Sequence, residues 1–243
     1  MNAAIPSDVI NELHWHQEHI QDFLNTGFKD LDGVIEGCPR GRITEIAGPV
    51  SSGRTSLLHS ILAEATRLDE FCAVVDATNS FDPASAEAAG VNLRRLVWIR
   101  SNGNAEHAIK AADLLVHSGG FGVIALDLCE VPSRVTRRIP ISSWYRFRRA
   151  IENTPSVLVV LETDPTVKAC ASLLIEMGRE GAVFSGEQPF QYLDTVQFQA
   201  MTRKPVRPTP VRFDVHALSA RKADVSPREA SIPQIPLPSS SRQ

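Results

Sequence analysis

"GRITEIAGPVSSGRTSLLHSILAEA", residues 41–65, decides the fold. It supplies a strand, a loop and a helix in immediate succession, the order a phosphate-binding loop requires. The pattern G-x-x-x-x-G-K-[ST] is met at Gly48, Gly53 and Thr55, with Arg54 where a lysine is expected. Across Gly48, Pro49, Val50, Ser51, Ser52, Gly53, Arg54, Thr55 and Ser56, the two glycines let backbone N–H groups turn inward around phosphate oxygens. The helix N-terminus adds partial positive charge, and the Thr55 hydroxyl is placed to hold Mg²⁺. None of these contributions needs the lysine. The guanidinium of Arg54 is wider and planar, so it can neutralise charge but alters the geometry around a reacting phosphate. The alternative is an ordinary turn whose glycines serve only the turn.

Outward from this segment, apolar runs at 72–77, 96–100, 123–128 and 157–163 read as further strands. Their near-continuous apolar character suits a parallel sheet covered on both faces. Helical stretches at 54–67, 83–89, 104–118 and 142–152 separate them, and Gly119-Gly120 stops the third. This alternation predicts an α/β fold with a mostly parallel central sheet flanked by helices. After residue 165 the rhythm changes: "SLLIEMGRE", "TVQFQAM" and "VRFDVHA" alternate without helices between them. They predict antiparallel strands added at one edge. The expected organisation is a helical extension at 1–20, one domain at 21–218 and a disordered Ser/Pro-rich tail at 219–243.

The 243 residues carry a net charge of −3, so no overall basic field argues for a nucleic-acid partner. No basic segment and apolar core open the chain, and no run approaches a membrane span, so a cytoplasmic protein without a membrane partner is expected. The four cysteines are scattered and read as core thiols. "HWHQEH" groups His14, His16 and His19, but no second cluster completes a metal site.

A second anchor is "VIALDL", an apolar strand ending in Asp127, where a carboxylate can hold the nucleotide's Mg²⁺. With these residues in hand, the chain resembles the bacterial RecA recombinase family, a P-loop NTPase core. "PRGRITEIAGPVSSGRTSLL" resembles the family's loop. "CAVVDATNSFDPASAEAAGVNLRRLVW" is similar to its second strand and following helix. "HAIKAADLLVHSGGFGVIALDL" resembles the run to the metal aspartate, and "KACASLLIEMGRE" the strand after the second DNA loop. The likeness runs collinearly over roughly residues 25–216. It implies a RecA-like core, ATP with Mg²⁺ as ligand, contacts with DNA and self-association.

Several family features are altered. The glutamate that activates the attacking water falls at Thr78, and a hydroxyl is a poor base. The adenine-stacking tyrosine corresponds to Ser85, and Arg54 replaces the loop lysine. Glu162, ending the fifth strand, is the candidate substitute carboxylate. The second DNA loop is reduced to "DPTV" and its neighbours, and no counterpart of the family's C-terminal domain is expected. A lysine that reaches a neighbour's nucleotide in the family corresponds to Lys204.

"SRVTRRIPISSWYRFRRA" follows where the family places its first DNA loop. It holds Arg134, Arg137, Arg138, Arg146, Arg148 and Arg149, interleaved with Trp144, Tyr145 and Phe147. These could bind phosphates and stack on bases, form a partner-protein interface, or make a solvated helix whose Trp144 and Phe147 pack inward at helical spacing. The expected function is a RecA-like accessory of DNA repair or damage-induced synthesis, similar to the short ImuA-type proteins encoded with error-prone polymerases. It would bind ATP weakly, hydrolyse little, and contact single- or double-stranded DNA or a repair polymerase. The alternative is an active DNA-dependent ATPase acting in recombination.

Overall fold

The computed structural model describes residues 22–186, 191–204 and 209–216. The expected N-terminal extension, the histidine cluster and the tail lie outside them. The strands are β1 (Phe23–Leu24), β2 (Cys38–Pro39), β3 (Arg42–Ala47), β4 (Cys72–Asp76), β5 (Leu96–Arg100) and β6 (Val123–Asp127). They continue as β7 (Val157–Glu162), β8 (Ala171–Ser185), β9 (Tyr192–Lys204) and β10 (Thr209–His216). The helices are α1 (Lys29–Ile35), α2 (Arg54–Arg67), α3 (Pro83–Ala88), α4 (Ala105–Ser118), α5 (Ser133–Thr136) and α6 (Ile141–Ile151).

The main sheet has the order β10-β9-β8-β3-β7-β6-β4-β5. The six strands from β8 to β5 are parallel, and β8, β9 and β10 pair antiparallel. The inner strands β3, β4, β6 and β7 are buried almost throughout, as two covered faces require, whereas β5 at the edge and the far half of β8 are not. One face, built from Ile46, Val74, Val123 and Ala125, packs against Leu57, Leu58, Ile61 and Leu62 of α2. The other, built from Ile43, Val75, Leu126, Leu158 and Val160, packs against α4 and α6 through Ala108, Ala112, Trp144 and Phe147.

Local chemistry sets the element boundaries. Asp82 accepts the N–H groups of Ala84 and Ser85, with Pro83 opening α3, and Asn104 accepts the His107 N–H at the start of α4. Gly119, at φ 68°, ends α4.

The edge differs from expectation in one respect. β8 is antiparallel to β9 but parallel to β3, because the chain returns from the end of β7 to the start of β3 before β8 begins. That return, residues 163–170, crosses the α4/α6 face of β3. Its backbone donors at Thr166 and Val167 both reach Glu45 Oε1, at 2.6 and 2.9 Å. A carboxylate inside a buried strand thus satisfies the N–H groups of a crossover too short for an α-helix, which closes in a single 3-10 turn at Lys168–Cys170. The pairing of β8 with β3 ends at Glu176, and the β8–β9 hairpin continues beyond the rim of the sheet.

Candidate functional site

The loop after β3 turns through Gly48 and Gly53 at the carboxyl rim of the sheet. Gly53 has φ 89°, and a Cβ there would meet the Phe198 ring of β9 at 2.8 Å. A Cβ at Gly48 would collide with the Met177 carbonyl of β8. No side chain caps α2, so its first-turn N–H groups face the loop without intrahelical partners. Ser52 is 1% exposed, and its Oγ has no hydrogen-bond partner among the described residues. An orphaned buried hydroxyl among inward-facing N–H groups is the donor set that a phosphate satisfies.

A cavity of about 390 Å³ opens above this loop. Its lining comes from both sides of β3 in the sheet: Ser80, Asp127 and Glu130 follow β4 and β6 on one side, Arg179, Leu193, Val196 and Phe198 stand on β8 and β9 on the other, and Val50 and Thr55 belong to the loop and the start of α2. The alternation along β6 puts Asp127 on the same face as Val123 and Ala125, the face covered by α2. Asp127 Oδ1 accepts the Cys129 N–H at 2.9 Å, and Ser80 Oγ donates to Oδ2 at 3.4 Å. Burial pushes its carboxyl above the ordinary range, against the Cys129 hydrogen bonds. A cation in the cavity would favour the ionised form, so Thr55 and Asp127 fit an Mg²⁺ carried by a nucleotide. No cluster of three His, Cys, Asp or Glu groups suited to a resident metal occurs among the described residues.

Arg54 is 5% exposed. Its Nη1 donates to the Glu162 carbonyl at 2.6 Å and to Thr163 Oγ1 at 3.3 Å. The same carbonyl accepts the Gly48 N–H at 3.3 Å. The arginine therefore ties the loop to the end of β7, a fixture that only the fold reveals.

Thr78 lies in the turn after β4, 3.4 Å from Ser80 Oγ. That turn is organised by Asp76, which the sequence did not single out. It is fully buried, and it accepts the N–H groups of Thr78, Ser80 and Phe81 and the Trp98 indole N–H. Ser85 bonds to Asp82 at the start of α3 and does not line the cavity.

Glu162 faces away from the cavity, on the α4/α6 side with Leu158 and Val160. Its Oε2 accepts the Thr166 hydroxyl, and its Oε1 is buried without a partner among the described residues. Burial, aided by Glu45 and Asp164, raises its pKa from 4.5 to about 8. Between these values the folded chain keeps a proton that the unfolded chain releases. The contribution to stability is therefore greatest below pH 4.5 and is lost as pH rises through about 8. Glu162→Gln is expected to flatten urea-denaturation stability across that window and to raise it by about 1–3 kcal/mol at pH 8. A profile parallel to the wild type would contradict this.

The six arginines are spread along α5, its following turn and α6. Arg134, Arg137 and Arg138 lie near the carboxyl rim, where Arg137 pairs with Asp164 at 3.2 Å. α6 then runs back about 16 Å, and its end meets the start of β3 through the Arg42–Glu152 pair. Arg148 and Arg149 lie toward that opposite end, and Arg146 pairs with Asp113 of α4 at 2.6 Å. Trp144 and Phe147 are buried, which removes base stacking on Trp144; Tyr145 is half exposed. Lys204 ends β9, and its side chain lies outside the description. No described helix is long and apolar enough to cross a membrane.

Residues 7–135 match the family described as RecA N-terminal domain. The chain is similar to Protein RecA of Rickettsia massiliae, 42% identical over 106 residues, which are 43% of this chain and 31% of that protein. Protein RecA of Methylococcus capsulatus is 43% identical over 109 residues, 44% of this chain and 31% of its own length. For Protein RecA of Deinococcus radiodurans the figures are 42% over 106 residues, 43% and 29%. The chain thus spans about a third of the length of these relatives, and residues 7–135, matched by the family, carry β3, the phosphate loop, β4 and Asp127. The chain belongs to the RecA N-terminal domain family.

Proposed function

We propose that this chain holds ATP with Mg²⁺ above its phosphate loop and splits it slowly or not at all. Gly48 to Ser56 would surround the phosphates, while Thr55 and Asp127 would face the metal. Bound Mg²⁺ would neutralise charge between the outer phosphates. The observation that carries this reading is the hydroxyl pair Thr78–Ser80 beside Asp127, where a base for the attacking water is needed. Neither hydroxyl can take a proton from water near neutral pH. The nucleotide would act as a structural ligand that stabilises the folded or assembled state.

The family membership supports a role as a RecA-like accessory of DNA repair and recombination. The exposed Arg134 and Arg138 near the rim would contact single- or double-stranded DNA or an acidic face of a repair polymerase, and copies of the chain would associate. The short crossover in place of the second DNA loop favours an accessory of the ImuA type over a strand-exchange enzyme.

A second reading, a DNA-dependent ATPase, is favoured by the exposed Glu130 on the cavity wall. Calorimetric titration with Mg-ATP, paired with phosphate release with and without single-stranded DNA, separates the two. The first reading expects binding without appreciable release, and release gained when Thr78→Glu is combined with Arg54→Lys. Release by the wild type that Glu130→Gln abolishes would establish the second.

A further inference from the structure

The ring that would cover a bound base is missing from its expected place, because Ser85 is occupied with Asp82 outside the cavity. Yet the cavity has an apolar wall where the loop meets the β8–β9 hairpin, across β3 from Asp127. Val50 is 70% exposed there and Leu193 40% exposed, and Val196 joins them on β9. Exposed apolar side chains gathered on one side of a phosphate-loop cavity call for a ligand with an apolar portion beyond its phosphates.

Arg179 completes that wall. The alternation along β8 puts it on the face of Ile175 and Met177, and the β8–β9 register sets it opposite Phe198, whose ring closes on Gly53. Its neighbours on β8 are engaged: Glu176 with Arg203 and Glu180 with Arg212. The Arg179 side chain makes no ion pair or hydrogen bond among the described residues. A planar guanidinium, uncommitted and flanked by aliphatic groups, suits stacking on a flat heteroaromatic ring.

We propose that the β8–β9 hairpin, through Arg179, Leu193 and Val196, receives the nucleoside of the bound nucleotide, replacing the ring that α3 lacks. With metal and outer phosphates at Thr55 and Asp127, the phosphate chain runs along the loop and delivers the base to this wall. Ser52, orphaned beneath the loop, holds the phosphates between the two sides. This assignment rests on the nucleotide reading above.

The test is calorimetric titration of the full chain with Mg-ATP and with magnesium tripolyphosphate, which has the phosphates but no base. The variants are Arg179→Ala, Arg179→Lys, Leu193→Ala and, as a charge control at the far end of α2, Arg67→Ala. Arg179→Ala is expected to weaken Mg-ATP by about 10-fold and Leu193→Ala by about 3-fold, with tripolyphosphate changed less than about 2-fold. Arg179→Lys should remain weak, because it keeps the charge and loses the plane. Equal losses for ATP and tripolyphosphate, full rescue by lysine, or an equal effect of Arg67→Ala would overturn the assignment and make Arg179 a charge alone. Wild-type binding of tripolyphosphate without preference for ATP would also overturn it. Failure of the wild type to bind either ligand would instead refute the nucleotide reading.

Discussion

Replacing Asp76 by alanine is expected to cost the fold about 4 kcal/mol, a large part of the stability of a single domain. Asp76 is the last residue of β4, and its carboxylate is fully buried. Oδ1 accepts from Thr78 and Ser80, each at 3.1 Å, and Oδ2 from Phe81 at 3.0 Å and the Trp98 indole at 3.2 Å. Alanine leaves all four donors without an acceptor in a place water does not freely reach. Asparagine is not a clean rescue, because its amide group would turn a donor toward donors; a loss of about 2 kcal/mol is expected for it. The functional consequence follows from Ser80, which the turn presents to Asp127. An Asp76→Ala protein that still folds should bind Mg-ATP at least about 10-fold more weakly. Urea denaturation and calorimetry measure the two effects. Wild-type stability in Asp76→Ala would show that the turn is held by other contacts.

Gly53→Val carries the largest expected effect on ligand binding, a loss of at least about 100-fold. At φ 89° any L-residue is disfavoured, and a β-branched one most of all. The added carbon would also press into the Phe198 ring, 2.8 Å from its ideal position. Relief requires the loop or β9 to move, and either shift takes the first-turn N–H groups of α2 off the phosphates. A stability loss of about 2–3 kcal/mol accompanies it. Unchanged Mg-ATP affinity in a folded Gly53→Val protein would mean the loop does not hold the ligand.

How much of this was legible in the sequence follows from how local each feature is. The loop glycines, Thr55 and Asp127 could be read because one strand, one turn and one helix fix their placement. The spacing of Trp144 and Phe147 allowed a core face as one of three readings, and their burial selects it for these two side chains. Arg54 could be flagged but not placed, because its acceptor is a carbonyl 108 residues away. Glu45 gave no signal at all: a carboxylate within a strand reads as a solvent-facing position until the 163–170 crossover is laid over it. Glu162 was legible as a strand-end carboxylate, but which face it takes depends on the register of the whole sheet. Arg179 was hidden for a related reason, since its position follows from β8 outrunning β3.

The account rests on a cavity that keeps its nucleotide intact. The most direct measurement is to incubate the purified wild-type chain with a slight excess of Mg-ATP, remove free ligand, quench, and separate the bound nucleotide by chromatography. Stoichiometric recovery of ATP is expected after many times the interval needed for binding. Bound ADP accumulating within that interval would contradict it.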